Sequence, residues 1–241
     1  MTLASLFRSA VSLKIQLFRC SICPLLVLAG LNAPGWCSAA EPEVVERHVR
    51  EFRVSVDGKP RGTQTMTISR HSDRSEVMQG EAEVLMNFVV YRYRYSSNGT
   101  ETWKDGRLIR LTNEADYNGD KYVINGSATE QALHYEVNDV AHKAPSDILV
   151  ASYWKEPDAK RVGRQVRLLD SDKGNQFQAT VSRVGSETVT IDTREIPTTH
   201  YRFRGDVQVD VWYDRDGFVT RQESLESGHR TLLELTKIRR Q

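Results

Sequence analysis

Cysteine is almost missing from this chain of 241 residues. The three cysteines are Cys20, Cys23 and Cys37. They lie within the first 40 residues, which carry three basic side chains and no acidic one, an apolar run at 23–31 and then small residues. This order is typical of a secretory signal peptide and predicts cleavage after Ala40. A chain cut there has no cysteine, which excludes a disulfide framework and thiolate zinc sites.

A long apolar run is missing as well. The run at 23–31 is interrupted by Pro24 and is much shorter than the roughly 20 residues that a membrane-spanning helix needs. The sequence therefore predicts export and cleavage rather than anchoring, with the mature protein in the periplasm or secreted and without a transmembrane segment. The predicted division is a signal peptide over 1–40 and a single all-β domain over 41–241.

The mature chain also lacks a strong charge of either sign. The leader takes three of the 33 basic residues and none of the 32 acidic residues with it, which leaves a net charge of −2. The alternating run at 91–95 could suggest a nucleic-acid surface, but adjacent strand residues point to opposite faces. We therefore expect Arg92 and Arg94 to be exposed and Tyr93 to be buried. A nucleic-acid platform needs bases and cations on one side, so no nucleic-acid partner is predicted.

The sequence has no recognisable catalytic or metal-binding constellation. There is no Gly-x-Ser-x-Gly elbow and no phosphate-binding glycine loop, and the six histidines are scattered. His134 and His200 share the polar parity of their strands, so we expect both to be solvated. The aspartate-rich stretches at 170–175 and 214–217 lack calcium-loop spacing and are predicted to be β-turns. The sequence thus predicts no metal and no cofactor, and no activated nucleophile or convergent pair in it points to an enzyme.

Hydrophobic alternation with period two is present along almost the whole mature chain. Phe52, Val54 and Val56 are one example, and short turn signals rich in Gly, Asn and Asp separate such runs. Asn-Gly and Asp-Gly pairs favour tight hairpins, and we interpret Asn98-Gly99 and Asn125-Gly126 in that way too. The predicted fold is all-β, a curved antiparallel meander forming a barrel or half-barrel.

One segment, 144–157, does not alternate. Pro145 suits a first helical position, and Ser146 and Asp147 suit a first turn. The pattern predicts either one short helix near the middle of the chain or an irregular plug between two blocks of strands.

Large aromatic side chains are numerous for one small domain, and they are the candidate binding residues. The six candidates are Tyr91, Tyr93, Tyr95, Trp103, Trp154 and Trp212. They either fill the core or line an apolar cavity with polar tips that holds a lipid-like ligand. Strand parity does not separate these alternatives, because a cavity wall and a core face carry the same pattern.

Three stretches together resemble a known family: 55–68, 91–111 and 209–219. Their most specific parts are Glu101-x-Trp103-x-Asp105-Gly106 and Trp212-Tyr213-Asp214-x-Asp216-Gly217. They are similar to the exported bacterial proteins of domain-of-unknown-function family 6134 and, more distantly, family 3108. The resemblance implies an envelope location and a β fold, with no established activity or catalytic residues.

Two hypotheses follow for the function. The first is a periplasmic or secreted protein whose curved sheet binds an apolar or lipid-like small molecule. The alternative is an interaction or structural module that docks another envelope protein through a sheet edge or an aromatic face.

Overall fold

One sheet of 15 strands dominates the fold. The computed structural model describes residues 42–87, 92–191, 193–226 and 228–241, so the predicted signal peptide lies outside the described residues. The strands are β1 (Val44–Val56), β2 (Lys59–His71), β3 (Ser75–Asn87), β4 (Arg92–Lys104), β5 (Arg107–Tyr117), β6 (Asp120–Ala128), β7 (Ala132–Val137), β8 (Val140–Pro145), β9 (Leu149–Val150), β10 (Gln165–Leu169), β11 (Gln176–Ile191), β12 (Arg194–Gly205), β13 (Gln208–Tyr213), β14 (Val219–Glu226) and β15 (His229–Arg240).

The strand order confirms the predicted antiparallel meander. Strands that follow one another in the chain are neighbours in the sheet, except β8 and β9, which form its two free edges, and β1 pairs with β15. Only the short β9 pairs in parallel, with β10. Among the described strands, β8 and β9 do not pair with each other, so the fold is an open, half-barrel-like sheet.

The sheet curls around its core, because distant strands bury side chains together. Met78 of β3 and Phe203 of β12 belong to one apolar cluster. A second cluster joins Leu133 of β7 to Leu169 of β10 and so brings the two ends of the sheet together. We call the face that carries these clusters the inner face and the opposite one the outer face.

Tight hairpins at Asp-Gly pairs are confirmed. Asp57-Gly58 and Asp105-Gly106 have φ angles between 50° and 76° and connect consecutive strands. Positive φ at both central residues matches the right-handed twist of the strands, and glycine adopts it without steric cost.

The expected turns at Asn98-Gly99 and Asn125-Gly126 are wrong, because both pairs lie inside strands, β4 and β6. A Cβ on Gly99 would overlap the Asn113 side chain, and one on Gly126 would lie 3.0 Å from Tyr135 Cβ. These glycines make room for inner-face side chains of the neighbouring strand, which is the other use of glycine within a sheet.

The segment 144–157 is a plug that is irregular apart from the end of β8 and the two-residue β9, and the short helix predicted there is wrong. The described residues contain no α-helix; the one helical turn is a 3₁₀ turn at Ala159–Arg161, just after the plug. Ile148 is buried in one core cluster and Trp154 in the other. An extended chain can reach both clusters, whereas a helix, which rises only about 1.5 Å per residue, would place these side chains closer together.

A buried ion pair anchors the first strand to the turn at 214–217. Arg50 is fully buried, pairs with Asp214 and donates to the Val219 carbonyl oxygen at 2.9 Å. The Asp214 carbonyl accepts from Gly217 N at 2.9 Å, which confirms a turn there. Breaking a buried ion pair leaves an uncompensated charge, so this contact favours one position of β1 relative to the turn.

The described part of the chain contains no helix that is long and apolar enough to cross a membrane.

Candidate functional site

The structure places the candidate aromatic residues in different regions. Tyr91 lies outside the described residues. Tyr93, Tyr95 and Trp103 share the inner face of β4 and are partly buried, and Trp154 is buried in the plug. Trp212 alternates with Val211 and Tyr213 of β13 and therefore points to the outer face. The candidates thus do not line one common cavity.

The two arginines of β4 lie on the exposed face, as predicted, but Tyr93 is less buried than predicted. Arg92 and Arg94 are exposed, and Arg94 forms an exposed ion pair of 3.4 Å with Glu83. Tyr93 is half-buried because it lies near the end of the strand.

The two inner-face tryptophans end on one buried carboxyl group. Trp103 Nε1 and Trp154 Nε1 donate to Glu101 Oε2 at 2.8 and 3.0 Å. Glu101 is only 2 % exposed, and no described cation pairs with it. Burial raises the pKa of the Glu101 carboxyl above its ordinary value, although the N–H donors act in the opposite direction. Glu101 thus fastens the plug to β4.

Tyr95 ends on a second carboxyl group, that of Asp172, which is 8 % exposed. Tyr95 and Tyr117 donate their hydroxyl groups to Asp172 Oδ2, both at 2.7 Å. The Ser97 hydroxyl and the Asn113 amide donate to Oδ1 at 2.9 and 2.8 Å. Two donors on each oxygen satisfy most of the acceptor capacity of a carboxylate.

A turn from the far end of the sheet carries Asp172 to these donors. We call residues 170–175, between β10 and β11, the Asp172 turn. Asp170 Oδ1 accepts from the backbone N–H of Asp172 at 2.9 Å, and Gly174 N donates to the Asp170 carbonyl at 3.0 Å, so the turn is internally braced. Tyr135 donates its hydroxyl to the Gly174 carbonyl at 2.9 Å. The β-turn predicted at this stretch is confirmed, but it is also a tertiary contact.

Electrostatics keeps the tyrosine hydroxyl groups as donors. Burial, followed by the charge of Asp172, raises the pKa of Tyr95 and of Tyr117 far above the ordinary value. Lys173 places its ammonium 4.0 Å from the centroid of the Tyr117 ring and 5.7 Å from that of Tyr122. We call the group Tyr93, Tyr95, Tyr117 and Tyr122 the tyrosine mouth. It combines aromatic surface with donors directed at an anion.

The outer face holds a separate cluster around His200, which is 5 % exposed rather than solvated as expected. Its Nδ1 lies 2.8 Å from Glu187 Oε1, and its Nε2 lies 2.7 Å from Asp210 Oδ1. The ring stacks on Trp212 with centroids 4.2 Å apart, and Trp212 Nε1 donates to Glu187 Oε2 at 2.8 Å. Strand pairing buried this histidine, because Trp212 is its direct cross-strand neighbour. His134 is exposed, as expected.

The outer face of β2 to β6 forms an open groove of about 520 Å³. Its carboxylates come from Glu81, Glu83, Glu114 and Asp116, and Lys121 is the one basic residue in its lining. The lining also includes hydroxyl and amide side chains, among them Thr63, Thr65, Ser96 and Asn98, and the apolar side chains of Ala82, Ala115 and Val123. The groove is acidic and polar, in contrast to the apolar inner face.

Comparison with known proteins identifies the family. The model of the family described as "Domain of unknown function (DUF6134)" matches residues 52–236. The chain belongs to the DUF6134 family. The more distant likeness to family 3108 stays a prediction. No curated protein matches this DUF6134 sequence.

A solved structure supports the fold of this DUF6134 chain. The chain is similar to the crystal structure of a β-barrel-like protein of domain of unknown function DUF1849 from Brucella abortus, with a TM-score of 0.58 and 9 % sequence identity. The alignment covers 81 % of this chain and 97 % of that chain. At this identity the likeness concerns the fold alone.

Sequence reasoning missed the acids on which the aromatic side chains end. Glu101 is two residues before Trp103, a spacing that puts both on one face of a strand, and this signal was available. Asp172 is 75 residues from Ser97 and 77 from Tyr95, and no local pattern links them.

Among the described residues of this DUF6134 chain, no group of three or more His, Cys, Asp or Glu is placed to hold a metal ion.

Proposed function

We propose that the mature chain is an exported envelope protein that binds a lipid-like ligand at the tyrosine mouth. One observation carries this proposal. Most of the inner face is covered by strands and the plug, but the surface between β4 and β6 is covered by the Asp172 turn. A turn can be displaced without breaking any pairing between strands.

The surface beneath the turn has the composition of a lipid-binding site. A Cβ on Gly174 would overlap Val137 and would approach Tyr135 and Ile124, so the turn lies directly on apolar side chains. Beside them are the partly buried rings of the tyrosine mouth. Ligand sites are typically apolar surfaces with a few convergent polar groups, and displacement of the turn would create such a surface here.

Native mass spectrometry of the protein purified from its own envelope tests this proposal. We expect a lipid-sized mass to co-purify and to be lost when Tyr93 is replaced by Ala, while Arg94→Ala retains it. Arg94 is the matched control, because it is adjacent in the chain but lies on the other face. A wild-type protein that carries no ligand and gains none from added lipid would contradict the proposal.

The outer groove favours a second function, docking of a basic segment of another envelope protein. Its carboxylates lie in cross-strand rows, since Glu81 faces Asn98 and Asn98 faces Glu114. Neither Glu81 nor Glu114 has a cationic partner among the described residues. Acidic side chains gathered in a groove attract a complementary positive surface, which sets association rate and specificity.

Calorimetric titration with a short lysine- and arginine-rich peptide tests this second function. Binding should weaken with salt and should be lost in the double variant Glu81→Gln, Glu114→Gln. Glu195→Gln, an exposed acid on β12, is the control and should bind like the wild type. Equal loss in the control would assign the binding to net charge alone.

A further inference from the structure

We propose that the four donors around Asp172 form a receptor for the carboxylate headgroup of the ligand, which Asp172 occupies in its absence. This inference rests on the proposed function and adds the chemical class of the ligand, a long-chain carboxylate. Asp172 would then act as an internal substitute that is exchanged for the carboxylate of the ligand.

The donor geometry is specific for a carboxylate. Tyr95 and Tyr117 converge on one oxygen of Asp172, and Ser97 and Asn113 converge on the other, with distances of 2.7 to 2.9 Å. An alcohol has one oxygen and would leave two of these donors unpaired. Buried donors without a partner are costly, so the receptor should discriminate against such ligands.

The receptor belongs to the sheet and not to the turn. Tyr95 and Tyr117 are direct cross-strand partners of β4 and β5, and Gly99 faces Asn113 in the same pair of strands. The register of these two strands fixes the four donors, and it does not depend on residues 170–175. The receptor therefore stays in place when Asp172 leaves, which makes it preorganised for an external anion.

The turn can leave as one unit. Asp170 braces it from within, accepting from the N–H groups of Asp172 and Lys173 at 2.9 and 3.3 Å. Its contacts to the rest of the protein include the four donors to Asp172, the Tyr135 hydroxyl that donates to the Gly174 carbonyl, and the contact of Lys173 with Tyr117. A ligand that supplies a carboxylate to the donors and an alkyl chain to the apolar surface replaces what the turn provides. The ligand thus competes with the turn for one receptor.

Binding of dodecanoate and of dodecanol, two ligands of equal chain length, tests the inference on the mature protein. We expect the wild type to bind dodecanoate about tenfold more tightly than dodecanol, because only the carboxylate can accept hydrogen bonds from all four donors. In the double variant Tyr95→Phe, Tyr117→Phe this ratio should fall to near one. Tyr201→Phe is the control, because Tyr201 of β12 lies outside the mouth and donates its hydroxyl to Glu156, and it should keep the ratio.

Removal of the internal competitor gives an independent measurement. Asp172→Ala should bind dodecanoate about tenfold more tightly than the wild type, because it lacks a tethered competitor. Asp139→Ala, in an exposed turn, should leave the affinity unchanged. If Asp172→Ala does not fold by circular dichroism, the tyrosine variants decide alone.

The two possible failures are distinguishable. Equal binding of dodecanoate and dodecanol by the wild type would overturn the carboxylate receptor and leave the lipid-binding function standing. Binding of neither ligand by the wild type or by folded Asp172→Ala would overturn the lipid-binding function itself.

Discussion

Replacement of Glu101 by Gln should change how stability depends on pH. Burial raises the pKa of this carboxyl group above its ordinary value of 4.5, so the native state binds the proton more tightly than the unfolded chain does. Its contribution to the free energy of unfolding is therefore fully present below about pH 4.5 and is lost as the pH rises through the native pKa. Glutamine cannot ionise and keeps an oxygen for both indole groups.

The magnitude follows from the two indole donors. Glu101→Ala would leave the buried Trp154 Nε1 without an acceptor, at about 1–3 kcal/mol, and the partly buried Trp103 Nε1 without one at a smaller cost. Glu101→Gln should lower the free energy of unfolding much less at low pH. As the pH rises above 4.5, the free energy of unfolding of this variant relative to the wild type should increase by at most about 1.4 kcal/mol per pH unit.

Urea unfolding of the wild type and the two variants at several pH values between 4 and 8 measures these differences. Subtraction of the wild-type curve removes the titration of the other groups. A difference between Glu101→Gln and the wild type that stays constant across this range would refute the reasoning, because Glu101 would then be ionised throughout in the folded protein. A loss below about 1 kcal/mol for Glu101→Ala would show that water reaches both indole groups.

Three further predictions concern other parts of the chain. His200→Phe keeps the stack on Trp212 but removes both contacts to Glu187 and Asp210. Hydrogen bonds from Trp212 and His200 lower the pKa of Glu187. At Asp210 burial raises the pKa, but hydrogen bonds from two arginines and from His200 lower it further, so the pKa is below its ordinary value. The stability that these two acids supply is present above about pH 4.5 and is lost as the pH falls. The variant lacks the His200 contacts to both acids, so its free energy of unfolding should fall less than that of the wild type on acidification. N-terminal sequencing of the exported protein should begin at Glu41, and an intact Met1 on a membrane-bound form would contradict cleavage. Thermal melts with and without a chelator should coincide, and a drop of several degrees would indicate a metal-dependent fold.

The sequence predicted those features that depend on neighbouring residues. Asp57-Gly58 and Asp105-Gly106 are hairpins because two residues alone set the required φ angles. Arg92 and Arg94 are exposed because alternation is a property of a single strand. These local rules were sufficient for the predicted antiparallel meander.

Features that depend on the next strand were not predictable in this way. Asn98-Gly99 has the composition of a turn but lies within β4, and glycine is needed there because the Asn113 side chain occupies the space of a Cβ. His200 has solvated parity, yet Trp212 and two carboxylates bury it. The plug has a helical first turn by composition, but its apolar side chains are divided between two core clusters. In each case packing against a distant segment outweighed the local preference.

The two buried acids of the inner face differ in what their removal would disturb, and this difference supports the proposed binding site. Glu101 is held by Trp154, which is 2 % exposed, so an external ligand could replace Glu101 only by pulling the plug out of the core. Asp172 is held by four donors of β4 and β5 and is carried by a turn whose departure breaks no strand pairing. Exposure of a large buried side chain costs about 1.5–3 kcal/mol, whereas a ligand headgroup would restore the hydrogen bonds that Asp172 gives up. We therefore propose Asp172 as the acid that a ligand displaces and assign a structural role to Glu101.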